Sequence, residues 1–167
     1  MMPELQPPDS MHANAAMGWL DLGNHLEAGE ELEKIQPGLR VHPQVLDIRW
    51  LIYRKAGKSD ACRELAEELL KTDPDSPMGW IRTAQNYYYS GRYQEAYDVL
   101  APVQARFPGS WMVQYDLACY AAKMNRFDEA KDRLKKVFGM DQTGEVRSMS
   151  LKDPDFEGFW KENGEWK

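Results

Sequence analysis

An all-α stack of helix pairs is the fold class this sequence predicts, on two observations. The first is a period of 34 residues that aligns four columns along the chain. Gly23, Gly57, Gly91 and Asn125 form one column, and Ala28, Cys62, Ala96 and Ala130 the next. Leu32, Ala66, Leu100 and Leu134 make the third, and Ile35, Leu69, Val103 and Val137 the fourth. A turn residue, a small residue and then apolar positions at that interval mark helix–turn–helix units that bury their faces on one another. The second observation is punctuation in the same phase. His42-Pro43, Ser76-Pro77 and Pro108-Gly109-Ser110 each interrupt helical patterning between units.

Taken in order, residues 1–8 hold Pro3, Pro7 and Pro8 and read as an extended arm. Repeats fill residues 9–142, with starts near Asp9, Pro43, Pro77 and Trp111. Each gives a first helix, a turn and a second helix. Ser76 before Pro77 suits a helix start, because the hydroxyl caps a free N–H and proline is tolerated at the first helical position. Ser110 offers the same cap after Pro108-Gly109, and His42-Pro43 is the same breaker with a weaker cap. Gly23, Gly57 and Gly91 can take φ > 0, and asparagine at 125 is the commonest substitute for that role. Trp50 is bulky where its column is otherwise alanine (Ala16, Ala84, Ala118), so Cys62 and Ala66 are expected to make room for it. Pro102 should cost the second helix of the third repeat a hydrogen bond and bend it.

Trp80, Ala84, Tyr87, Gly91, Tyr93, Ala96 and Pro108 follow the W…G/A…Y…G-x-Y…A…P spacing, and Leu117, Ala118, Asn125, Phe127 and Ala130 repeat it. Trp19 and Tyr53 keep the aromatic column in the earlier, degenerate copies. The chain resembles a bacterial tetratricopeptide repeat protein over roughly 9–142. The resemblance implies a right-handed superhelical stack of four such helix pairs. Residues 143–167 lie outside the period, and Ser150-Leu151-Lys152-Asp153-Pro154-Asp155-Phe156 resembles the terminal segment of many bacterial proteins of this kind. A last repeat leaves an apolar face open, so Leu151, Phe156, Phe159, Trp160 and Trp166 are read as a C-terminal cap.

Composition narrows the function. The formal charge of −6, with acidic and basic residues interspersed, argues against nucleic acid, whose phosphates reward a basic patch. No run of apolar residues is long enough to span a membrane. The first ten residues have neither a basic start nor an apolar run, so no secretory signal is expected and a cytoplasmic location is. Cys62 and Cys119 are then reduced, packed thiols.

The resemblance also implies a binding face. In the family, first helices line a concave groove that holds an extended peptide or a partner helix. Carried over, the lining is Ser10, Ala13, Met17 and Leu20, then Gln44, Asp47, Leu51 and Arg54. The third repeat adds Met78, Ile81, Gln85 and Tyr88, and the fourth Met112, Tyr115, Cys119 and Ala122. Tyr89 is placed at the rim. Met78, Ile81, Tyr88, Met112 and Tyr115 are the expected apolar anchors, with Arg82 and Gln85 adding polar specificity. The Lys/Asn/Arg clamp of chaperone-binding members is missing, since Ala13, Met17 and Met78 stand where its Asn and Lys residues would.

Enzyme signals are poor. Ala56-Gly57-Lys58-Ser59 mimics the end of a phosphate loop, but Ile52 stands where the loop needs glycine. His12, His25 and His42 share no metal-ligand spacing, and no base is identified beside Cys119. Neither catalysis, a cofactor nor a metal is expected. A binding module for a protein or peptide is the favoured reading. Its alternatives are a homo-oligomeric scaffold assembled through the groove or the aromatic tail, and a chaperone for secreted substrates.

Overall fold

Glycine and asparagine in the turn column set the folding pattern. Gly23, Gly57 and Gly91 have φ of 79°, 70° and 74°, and Asn125 takes 58°, so each turn uses the left-handed region that other side chains avoid. The computed structural model describes residues 3–164, which are helical apart from turns and short connections. The chain divides into two compact units, Met1–Asn86 and Tyr87–Lys167.

The first unit contains α1 (Asp9–Asp21), α2 (His25–Glu33), α3 (Pro43–Lys55), α4 (Ser59–Thr72) and most of α5 (Met78–Tyr89). Consecutive helices pack as pairs, α1 on α2 and α3 on α4. Alanine sits where helices approach most closely. Ala13, Ala16 and Ala28 have no exposed surface, and Leu32, Ile35, Val45, Ile48 and Ile52 fill the space around them. Leu5 of the arm joins this cluster. The arm is also held by the His42 ring, whose Nε2 lies 3.0 Å from the Pro3 carbonyl, and Asp9 at the start of α1 accepts the Gln36 backbone N–H at 2.8 Å.

The helix starts use the caps the sequence offers. Ser76 Oγ accepts the Met78 N–H at 3.2 Å, and His42 Nδ1 accepts the Gln44 N–H at 3.2 Å. Trp50 is wholly buried, with its indole N–H donating to Asn86 at 3.2 Å and the Cys62 thiol against its own carbonyl at 3.7 Å. At Gly79 an added Cβ would lie 2.8 Å from the Leu70 backbone nitrogen. Glycine there lets α5 cross α4 at contact distance.

The second unit contains the end of α5, then α6 (Tyr93–Leu100), α7 (Val103–Arg106), α8 (Trp111–Lys123) and α9 (Phe127–Met140). Pro102 does more than bend its helix. It divides it into α6 and α7, because the ring leaves no N–H for the carbonyl one turn back. Ser110 caps α8 by accepting the Val113 N–H. Nine of the thirteen residues of α8 are buried, which makes it the central helix of this unit. A buried guanidinium is fully engaged beside it: Arg133 donates to Glu129 at 2.9 Å, to the Tyr97 hydroxyl at 2.6 Å and to Gln114 at 3.1 Å.

Beyond α9, Asp141 accepts the Val146 N–H at 2.8 Å and Gly144 takes φ of 77°, turning the chain into α10 (Glu145–Lys152). A short 3₁₀ turn over Pro154–Phe156 leads into α11 (Glu157–Asn163). Phe156 and Phe159 are completely buried, and the Trp160 indole N–H donates to the Ser150 carbonyl at 2.9 Å. Three of the four aromatics expected of the cap are therefore accounted for within the chain, while Trp166 lies outside the described residues.

Candidate functional site

The residues of the expected lining differ in exposure from column to column and within columns. Ala13, Ile81 and Tyr115 occupy one column and are all buried, Ile81 at 2% exposure. Ile81 is therefore a core residue, Tyr115 is covered rather than an open anchor, and Asp47 of the same column is half-buried. Met17, Leu51, Gln85 and Cys119 hold the column beside it; Met17 is exposed, Leu51 and Gln85 are half-buried and Cys119 is buried. Ser10, Gln44, Met78 and Met112 form a column that stays at least partly open in every repeat.

In the first unit the polar centre of this face is already paired. Arg82 donates through Nε to Asp47 Oδ1 at 2.6 Å and through Nη2 to Asp47 Oδ2 at 3.0 Å. Its third contact is Gln85 Oε1 at 2.7 Å, and the guanidinium lies 4.5 Å above the Trp50 ring. Arg82 therefore orders this patch and is not a vacant anion receptor. Met17, Leu51, Met78 and Gln85 are the accessible expected residues here.

In the second unit the chain's own C-terminal segment lies on the expected lining. The turn 154–156 packs on α8. The Tyr115 hydroxyl donates to Asp153 Oδ2 at 2.8 Å, and the Tyr88 hydroxyl to Asp155 Oδ1 at 2.5 Å. Lys123 Nζ stands 3.7 Å from the same Asp155 oxygen. The Phe156 ring meets Tyr115 edge-on with centroids 5.5 Å apart. Burial, reinforced by the neighbouring carboxylates, holds the Tyr88 and Tyr115 phenols protonated, as donors must be. Asp155 sits above the usual aspartate range because burial outweighs the help of Tyr88 and Lys123.

Cys119 is buried beneath this segment, and the same burial raises its thiol well above the ordinary value. Its sulfur and the Asp153 and Asp155 carboxylates lie within 4.8 Å of one another. Both carboxylates are already acceptors of phenolic bonds, with Lys123 adjacent, so hydrogen-bonded packing accounts for the cluster. Cys119 is thus not open lining, and burial keeps its thiol protonated. Tyr89 and Met112 remain accessible, Tyr89 at 53%.

Sequence reasoning missed where the terminal segment docks. Its Asp-Pro-Asp-Phe motif was visible, but no spacing links residues 153–156 to Tyr88 or Tyr115. The sequence signal was the motif itself, two acidic side chains around a proline with phenylalanine next.

No protein-family model matches the sequence, and no curated protein does. Solved structures do. PilF of Pseudomonas aeruginosa superposes with a TM-score of 0.63 at 15% identity, covering 95% of this chain and 78% of that one. MamA of Desulfovibrio magneticus RS-1 gives 0.56 at 16% identity over 95% of this chain and 92% of its own. MamA of strain AMB-1 gives 0.53 at 23% identity over 92% and 91%. The chain thus has the all-α fold of tetratricopeptide repeat proteins, with helices packed in sequential pairs. No helix among the described residues is long and apolar enough to cross a membrane.

Proposed function

We propose that this protein is a binding module that takes a peptide or partner helix on its first helices, and that it performs no catalysis. The observation that carries this reading is that Met78 and Met112, in the same register one repeat apart, each stay partly open in their own unit, with Met17 exposed in the first unit and Tyr89 in the second. Methionine adapts to differently shaped partners, and an exposed tyrosine brings large contact area with a hydrogen-bonding tip. Binding energy is concentrated in these few residues. Ile81 supports the surface of the first unit from below.

Selection of displayed random peptides against the intact chain tests the reading. Enriched peptides should lose roughly tenfold or more affinity for a Met78→Glu or Met112→Glu variant that keeps its helical content. A selection with no enrichment, or enriched peptides indifferent to both variants, removes the assignment.

A second reading, self-association, has its own observation. Met11, Ala15 and Gly18 of α1 and Leu22 just past its end form an exposed stripe, Met11 at 64% and Leu22 at 77% exposure. Their counterparts one repeat later include Val45 and Ile52, which are buried. Light scattering over a concentration series checks this role. A dimer abolished by Leu22→Glu supports it, and a monomer throughout removes it.

A further inference from the structure

Within the second unit, residues 153–156 lie on Tyr88 and Tyr115. Two carboxylates one residue apart meet two phenolic hydroxyls, Tyr115 with Asp153 at 2.8 Å and Tyr88 with Asp155 at 2.5 Å. The next residue, Phe156, loses all its exposure against Tyr115 and Phe159. Lys123 Nζ lies beside this turn, 3.7 Å from Asp155. The receiving side chains stand on α5 and α8, first helices of their repeats, which is where the module reading places a ligand.

We propose that this seat is an acceptor for Asp-x-Asp-Phe segments, occupied here by the chain's own residues 153–156 as an internal ligand, and that a partner carrying the same acidic–aromatic chemistry displaces them. The proposal rests on the binding-module reading and adds the partner's chemistry. A tethered segment competes at an effective concentration on the order of millimolar, so a partner must bring further contacts. The rings of Tyr89 and Trp111 lie 5.0 Å and 6.3 Å from those of Tyr88 and Tyr115 and are open to provide them. Cys119 beneath the segment is a built-in reporter of displacement.

The test uses the full chain and a fluorescent peptide of residues 150–160, Ser-Leu-Lys-Asp-Pro-Asp-Phe-Glu-Gly-Phe-Trp. A Phe156→Ala variant weakens the internal ligand while leaving the seat intact. It should bind the peptide roughly tenfold or more tightly than the wild type does. Iodoacetamide should modify Cys119 faster in the variant, and added peptide should restore protection; mass spectrometry separates Cys119 from Cys62. A peptide with both aspartates changed to alanine should do neither. Where Phe156→Ala does not fold, Phe156→Leu replaces it in the same comparison, and millimolar peptide is applied to the wild type with Cys119 protection followed as before.

No peptide binding by a folded variant whose Cys119 has become reactive makes the segment a cap only and overturns the proposal. A dimer with Cys119 still covered assigns the seat to a second copy and overturns it too. Displayed peptides that depend on Met78 or Met112 but lack the motif and leave Cys119 covered preserve the module and sink this inference. Failure of the selection with uptake of the 150–160 peptide does the reverse.

Discussion

Asn125 holds a left-handed backbone at φ of 58° that its column otherwise gives to glycine. Asn125→Ala should lower the unfolding free energy by about 1 kcal/mol, because a Cβ without a compensating side-chain amide is strained there. Asn125→Gly should be close to neutral. Urea denaturation of the pair distinguishes them, and equal midpoints would remove the argument. Arg82 makes a second residue-scale point. Its guanidinium has a bidentate partner in Asp47 and a ring beneath it in Trp50, so Asp47→Ala leaves a mostly buried cation without its carboxylate. A loss of about 2 kcal/mol in the same assay is expected. The turn column was legible in the sequence because the left-handed region selects glycine or asparagine one residue at a time. The Asp47–Arg82 pair was not, since it depends on how closely two helices one repeat apart approach.

Helices record the contrast between local and non-local causes. Gly29 lies inside α2 with nothing near its missing side chain, whereas Gly79 lies inside α5 against the Leu70 backbone. Gly29→Ala should therefore stabilise by roughly 0.5–1 kcal/mol, from restricted backbone freedom alone. Gly79→Ala should cost roughly 1–3 kcal/mol by overpacking, since the clashing atom is main chain and cannot swing aside. Thermal unfolding followed by circular dichroism reads both, and a destabilising Gly29→Ala or a neutral Gly79→Ala contradicts the account. Helix propensity treats the two glycines alike. Only the crossing of α4 and α5 separates them. Pro102 was legible as a defect, because its missing N–H acts within one turn of its own chain.

Across the whole chain, titration gives opposite contributions in different places. Burial raises Asp155 above its usual 3.8, so the folded chain holds that proton more tightly than the unfolded one. Its contribution to stability is present below 3.8 and is lost as pH rises through the raised value. Glu129 behaves in the other sense. Burial pushes it up, but the Tyr97 hydroxyl and Arg133 outweigh burial and leave it below 4.5, so its contribution is lost as pH falls. Urea midpoints between about pH 4 and 7 should show wild type losing stability relative to Asp155→Asn as pH rises. A constant difference, or one of opposite slope, contradicts the assigned direction. By itself the sequence determined the repeat, the turns, the helix starts and the all-α class, because each follows from a side chain acting on backbone within a few residues or from a strict period. Tertiary structure alone decided which lining columns stay open, that Arg82 is committed to Asp47, and that residues 153–156 sit on Tyr88 and Tyr115. Those outcomes depend on packing between segments far apart in the chain, where burial and hydrogen-bond geometry leave no periodic trace in the residues that produce them.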